Sequence, residues 1–162
     1  MKMLIAAVAG GAMLLAGTPA LAQTAKPTLG PYGYGKVKLG MSAKRAGATG
    51  KITLKWRDRH SACSGWDLKS HPTGKDSVGL YISRKRGVAV IFAGKGMRTP
   101  EGIGIGSTMR QVRAAYPKLK TPRGLNAYVR VPGNNKAFYT FFADKGRLEQ
   151  LSIAVSGQDC VS

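Results

Sequence analysis

The sequence predicts an α+β protein of two related halves. Each half is a short helix followed by antiparallel strands, and the helices pack on one face of an antiparallel sheet. Three observations carry this reading. A segment at residues 33–56 is echoed at residues 102–119 with a constant offset of 66. Each copy passes from a short extended piece through a glycine and a hydroxyl residue into a helical pattern. Runs of alternating apolar residues, separated by turn chemistry, follow each helix. The repeat is weighed first because it sets the architecture.

The first copy reads "GKVKLGMSAKRAGATG" and the second "GIGIGSTMRQVRAAYP". Val37, Leu39 and Gly40 align with Ile103, Ile105 and Gly106, and Ser42 aligns with Thr108. Ala46 and Ala48 align with Val112 and Ala114. Ser42 and Thr108 are the expected helix caps, and Thr108 with Gln111 fits a capping box. Met109, Val112 and Tyr116 recur at helical spacing and form one apolar stripe. Gly50 ends the first helix and Pro117 the second. Both helices are short, so packing must hold them.

The strands follow in order. Ile52, Leu54 and Trp56 alternate with polar residues. After a loop, "VGLYIS" (78–83) and "GVAVIF" (87–92) flank Arg84-Lys85-Arg86 and read as a hairpin with a basic tip. In the second half, "NAYVRV" (126–131), "KAFYTFF" (136–142) and "LEQLSIAV" (148–155) are joined by "PGNN" and "DKGR". Both connectors are turn chemistry, so these runs make a meander. Its aromatics Tyr128, Phe138, Tyr139, Phe141 and Phe142 are assigned to the core.

The two repeat segments are similar to the extended piece, glycine, Ser/Thr cap and helix that open each half of the beta-lactamase-inhibitory-protein-like fold. Small outer-membrane assembly lipoproteins share that unit. The resemblance implies helices laid on an antiparallel sheet, and proteins that act by binding other proteins. This chain departs from the inhibitors in carrying one cysteine per half. Nothing in it matches their target-contacting residues.

Residues 1–22 read as a cleaved signal peptide, with Lys2, an apolar run and the small residues of Ala20-Leu21-Ala22. Thr18 stands where an acylated cysteine would be. Residues 23–33 are expected to be a flexible leader, 34–96 the first half and 97–162 the second. The protein is thus expected in the periplasm or outside the cell. There, Cys63 and Cys160 are expected to form one disulfide, the alternative being two free thiols.

The chain holds 26 Lys and Arg against 7 Asp and Glu, a formal net charge of +19. Such a balance attracts polyanions. The expected partner is an acidic protein or an anionic envelope polymer, and charge alone would also permit nucleic acid. Candidate contact residues are Arg84, Lys85 and Arg86 at the hairpin tip, with Lys44, Arg45, Arg110 and Arg113 on the helices. Lys44, Arg45 and Arg110 sit in first helical turns, where cations oppose the macrodipole.

Only "WRDRHSACSGWDLKSH" (56–71) resembles a reactive site. His60, Cys63 and His71 lack zinc-site spacing, and a disulfide would consume one ligand. Asp58-Arg59-His60 is similar to the Asp-Arg-Gly-His segment of nonspecific nucleases, without its glycine. Cys63 with a histidine would make a nucleophile pair, but a disulfide opposes it. The stretch therefore reads as a cross-linked loop. "GIGIGS" lacks the third glycine of a dinucleotide fingerprint and the Gly-Lys-Ser/Thr of a phosphate loop. No hydrolase motif is present. The sequence thus predicts a non-enzymatic binding protein with no metal and no cofactor. The alternatives are an inhibitor of a secreted or periplasmic enzyme, and a small hydrolase or nuclease using Asp58 and His60.

Overall fold

A computed structural model describes residues 27–161, so the signal peptide read at 1–22 lies outside the described residues. Three short strands come first: β1 (Leu29–Gly30), β2 (Gly33–Tyr34) and β3 (Val37–Lys38). Then follow α1 (Ala43–Ala48), β4 (Ile52–Arg57), β5 (Cys63–Leu68), β6 (Leu80–Ser83) and β7 (Gly87–Phe92). The chain continues with α2 (Met109–Ala115), β8 (Ala127–Val131), β9 (Asn134–Asp144) and β10 (Arg147–Val155). Strands β1–β3 form a small antiparallel sheet. The others form one seven-stranded antiparallel sheet in the order β4-β5-β6-β7-β10-β9-β8. The architecture is mixed α+β and mostly strand.

The helix starts follow the sequence. Ser42 Oγ accepts the Arg45 N–H at 3.3 Å. Thr108 and Gln111 form the full capping box, with Gln111 N–H donating to Thr108 Oγ1 at 3.2 Å and Thr108 N–H to Gln111 Oε1 at 2.8 Å. The core draws on both helices, through Ala46, Val112 and Tyr116.

Cross-strand register defines the two faces of the large sheet, since paired residues point the same way. One row runs Trp66–Leu80–Ile91–Ile153–Tyr139–Val129 across six strands. Every member is buried, and all belong to the core. This is the inner face. The alternate row, Trp56–Gly65–Tyr81–Val90–Ala154–Phe138–Arg130, crosses all seven strands on the outer face.

Strand β5 corrects the expectation of a loop across residues 56–71. Every residue of Cys63–Leu68 is buried. A strand covered on both faces shows no polar alternation, so its period was silent in the sequence. Gly65 has a specific role here. A Cβ at that position would meet Trp56 Nε1 at 2.2 Å, so the glycine lets the Trp56 ring lie across β5.

The expected flexible leader also differs. From Leu29 onward the chain is docked. Leu29 is fully buried and its N–H donates to the Arg98 carbonyl at 2.8 Å. The Tyr139 hydroxyl donates to the Leu29 carbonyl at 2.6 Å, and Asn134 Nδ2 to the Pro31 carbonyl at 2.8 Å. The partners lie 69 to 110 residues downstream, beyond the reach of local sequence reading.

The two helix entrances are fastened alike. Gly40 N–H donates to the Val88 carbonyl and Val88 N–H returns to Met41, at 2.9 and 2.8 Å. Gly106 N–H donates to the Leu148 carbonyl and Leu148 N–H returns to Ser107, both at 2.8 Å. Gly40 and Gly106 take φ of +79° and +85°, a left-handed conformation that glycine adopts at no steric cost. Each entrance is thereby pinned to the start of β7 or β10. Those two strands pair antiparallel at the centre of the sheet, with Phe92 opposite Ser152.

Candidate functional site

The seven cations selected from the sequence fall into two groups. Arg84, Lys85 and Arg86 form the β6–β7 turn. Ser83 Oγ holds that turn by accepting the Lys85 and Arg86 N–H groups at 3.1 and 3.2 Å. Arg84 also donates to the carbonyls of Asp58 and Arg59 at 3.0 and 2.5 Å, which ties this tip to the β4–β5 turn. Ser42 and Ala43 line the same cleft of about 500 Å³, so Lys44 and Arg45 follow directly from it on α1. Arg110 and Arg113 are carried by α2, whose Met109 N–H donates to the Gly146 carbonyl at the β9–β10 turn, 3.0 Å. Because β7 and β10 run antiparallel side by side, the turns that precede them lie at opposite ends of the sheet. The basic residues therefore do not converge on one point.

What converges lies on the outer sheet face. Trp56, Tyr81 and Phe92 form an edge-to-face chain with centroids 6.1 and 6.0 Å apart. Across the sheet, Tyr128 and Phe138 meet edge-to-face at 5.9 Å. The Arg130 guanidinium lies 4.9 Å over the Phe138 ring, and the Lys120 ammonium lies 5.9 Å over Tyr128. Between the aromatic groups runs a groove of about 620 Å³ lined by Val90, Phe92, Tyr128, Phe138 and Phe142. Leu125 is 73% exposed, Phe142 44% and Trp56 40%. The chain after β10 crosses one end of this groove through Ser156–Gln158 and Val161.

That crossing segment is held by the expected disulfide. Cys63 and Cys160 are bonded, with Cα atoms 5.7 Å apart across 97 residues. In the chain-entropy account such a loop stabilises the fold by about 4–5 kcal/mol. Asp159 lies beside the two sulfurs, but their thiolates are consumed by the bond. His71 packs edge-to-face on Tyr34 at 5.5 Å. Asp58 Oδ1 accepts the His60 backbone N–H at 2.8 Å, which closes the β4–β5 turn.

The sequence did not single out Tyr81 and Phe92, which join the outer aromatic chain, and it assigned all five meander aromatics to the core. Tyr139 and Phe141 are there, fully buried. Tyr128, Phe138 and Phe142 belong to the opposite face. The available signal was parity. Aromatics at both odd and even positions of "KAFYTFF" mean that both faces of β9 are apolar.

Asp67 anchors the outer face near β4. It accepts hydrogen bonds from the Thr73 N–H (2.8 Å), Thr73 hydroxyl (2.7 Å) and Gly79 N–H (2.9 Å). Lys55 Nζ lies 3.5 Å away, the only ion pair among the described residues. Burial pushes the Asp67 pKa up. The Thr73 and Gly79 hydrogen bonds, with the Lys55 charge, outweigh that, and the pKa falls below the usual carboxylate value. The buried Tyr116 hydroxyl donates to Glu101 Oε2 at 2.6 Å and accepts from the Thr99 hydroxyl at 2.7 Å. Burial, then the Glu101 bond and charge, push its pKa far up, so this tyrosine acts as a fixed donor.

No protein-family model matches this chain, and no curated protein matches it in sequence. One solved structure does. The chain is similar to the uncharacterized protein YfeY from Escherichia coli, at 12% identity and a TM-score of 0.50, over 79% of this chain and 99% of that one. At that identity the likeness shows the fold alone. Among the described residues no helix is long and apolar enough to cross a membrane.

Proposed function

We propose that this is an exported, non-enzymatic protein that binds an acidic partner through the outer face of its seven-stranded sheet. The single observation that carries the reading is the composition of that face. Aromatic rings at Trp56, Tyr81, Phe92, Tyr128 and Phe138 share a surface that opposes the core, with Arg130 over Phe138 and Lys120 over Tyr128. Half-buried and exposed aromatics with an arginine stacked on one of them match the composition of interface hot spots. The charge supports the same reading, since one ion pair leaves the field of the remaining cations uncompensated. The disulfide fits an oxidising compartment. Of the two expected partner classes, an acidic protein is favoured over an anionic polymer, because charge alone would need no aromatic anchors. Inhibition of a secreted enzyme is one form this binding could take. The nuclease alternative gains no support from Asp58, whose carboxylate is engaged within its own turn.

We also infer that the two halves are related and that both helices lie on the inner face. The matched fastening of Gly40 and Gly106 supports the first point, as does the central β7–β10 pair. The Lys120–Tyr128 bridge beside β8 would then be the remnant of what β4 is beside β5. Burial of Ala46 and Val112 in the same core as the inner row supports the second.

The test is capture from envelope and secreted fractions at low salt, followed by a salt gradient. An acidic protein should be retained, and the Trp56→Ala/Phe142→Ala double variant should lose it. Equal retention by the double variant overturns the outer-face reading. Nucleic acid degradation by the purified protein, abolished by His60→Ala, overturns the non-enzymatic one.

A further inference from the structure

Pairing along β8 stops short of its end. On the side away from β9, Tyr128 exchanges two backbone hydrogen bonds with Lys120, each 2.9 Å. In an antiparallel ladder, residues two apart present their N–H and C=O to the same side. Arg130 therefore turns its own pair toward this outer edge. Among the described residues no hydrogen-bond partner meets either group there. The segment that covers Tyr128 enters through a turn at Pro117–Lys118, so it diverges from Arg130 and leaves a cleft of about 1110 Å³.

The cleft has a defined electrostatic character. Lys118, Lys120, Arg130 and Lys136 line it, all exposed, and no carboxylate does. The opposite edge of the sheet differs. Strand β4 is broken mid-way by an irregularity between Leu54 and Trp56, a feature that opposes strand addition. Along β8 the register is regular from Ala127 to Arg130, and the extra residues of the shift that follows lie in β9.

We propose that the β8 cleft receives an extended acidic peptide segment of a partner protein, added as a short strand. Its backbone pairs with the free N–H and C=O of Arg130, and its carboxylates lie among Lys118, Lys120 and Lys136. Strand addition draws affinity from main-chain bonds and specificity from the flanking side chains. The unpaired backbone is what selects a peptide. An anionic glycan or a nucleic acid would use the four cations and leave Arg130 N–H and C=O idle. The inference rests on the acidic-protein reading above and adds to it a site and a form of ligand. Tyr128 and Phe138 line both this cleft and the outer groove, so the two surfaces are continuous around the sheet edge.

The experiment uses the mature chain and an octapeptide of alternating Glu and Thr, with backbone amide exchange followed by NMR. The peptide should bind saturably at low salt and slow exchange of the Arg130 amide about tenfold or more. Lys118→Glu should weaken binding about tenfold or more, by placing a like charge against the peptide. N-methylation of alternate peptide amides keeps the charge and should abolish binding. The proposal is overturned if the N-methylated peptide binds equally well, if Arg130 stays unprotected at saturation, or if the octapeptide does not bind. A heparin fragment or oligodeoxynucleotide that displaces the peptide while Arg130 remains unprotected would assign the cleft to charge alone. Capture of an acidic protein that the outer-face variants abolish and Lys118→Glu leaves intact would sink this proposal and leave the outer-face reading standing.

Discussion

The two faces of the large sheet are made by the same strands and differ in what covers them. On the inner face, Leu80, Ile91, Ile153 and Tyr139 are wholly buried within the core. On the outer face, the residues one position away end in Trp56 at one edge and Arg130 at the other. Both faces are rich in large apolar side chains. The difference is that one is enclosed within the core and the other has only the segment after β10 across one end. An apolar sheet face left open over such a width is the kind of surface that interaction sites use, which is why the proposal above rests on it. Buried and exposed apolar surface are thus separated by parity within single strands, and β9 shows it most plainly, with Phe141 facing in and Phe142 facing out.

The largest effect should come from breaking the inner face. Phe141 is 1% exposed and packs on Tyr116 and Tyr139, with centroids 5.5 and 6.3 Å away. Phe141→Ala should destabilise the protein by about 3–5 kcal/mol, through lost transfer free energy and the cavity left behind. Urea denaturation with an unchanged slope checks this.

Next comes the tether of the segment across the outer groove, the Cys63–Cys160 disulfide. The Cys63→Ser/Cys160→Ser variant should lose about 2–5 kcal/mol. It should also free the segment that crosses the outer groove. Amide exchange of Ser156–Val161 should rise while that of the inner row holds its order. Uniformly raised exchange across the sheet would show that the crossing segment is not a separable cover.

Asp67 gives a smaller effect with a pH signature. Its pKa is depressed in the folded protein. Its contribution is therefore fully present above the ordinary carboxylate pKa and is lost as pH falls through the lower folded value. Acid should weaken the protein below about pH 4, the ordinary carboxylate range. Asp67→Asn should cost about 1–3 kcal/mol at neutral pH, since Thr73, Gly79 and Lys55 lose a charged acceptor. It should also flatten the acid limb. An acid limb of unchanged steepness would show that other carboxylates carry it.

Much of the fold was legible, and what was illegible has physical causes. Ser42, Thr108 and Gln111 announced the helix starts because capping is local chemistry. The β6–β7 hairpin and the β9–β10 turn were marked by turn residues next to alternating runs. Cys63 and Cys160 were paired by composition alone. Strand β5 was hidden because burial on both faces erases alternation. The docking of Leu29 was hidden because its partners, Arg98 and Tyr139, are remote in sequence. The candidate site was the least legible part. The cations were visible, but their division between two ends of the sheet depends on β7 and β10 being neighbours. The outer aromatics were visible too, yet only register separates Phe138 from Tyr139.

The smallest expected change in stability is the most informative about the comparison. Phe142 is 44% exposed and pairs across β10 with Gln150, on the face away from the core. Truncation to alanine there removes little buried area, so Phe142→Ala should move stability by no more than about 0.5 kcal/mol. Phe141→Ala, one residue earlier on the same strand, should cost several times as much. If the outer face is the contact surface, capture of the acidic partner should follow the reverse ranking once both variants are compared as folded protein. Phe142→Ala would lose partner with its fold intact, and Phe141→Ala would keep partner below its unfolding transition. Equal losses of stability in the two variants would mean that the outer face is a second core, and that recognition must be sought at the sheet edges instead.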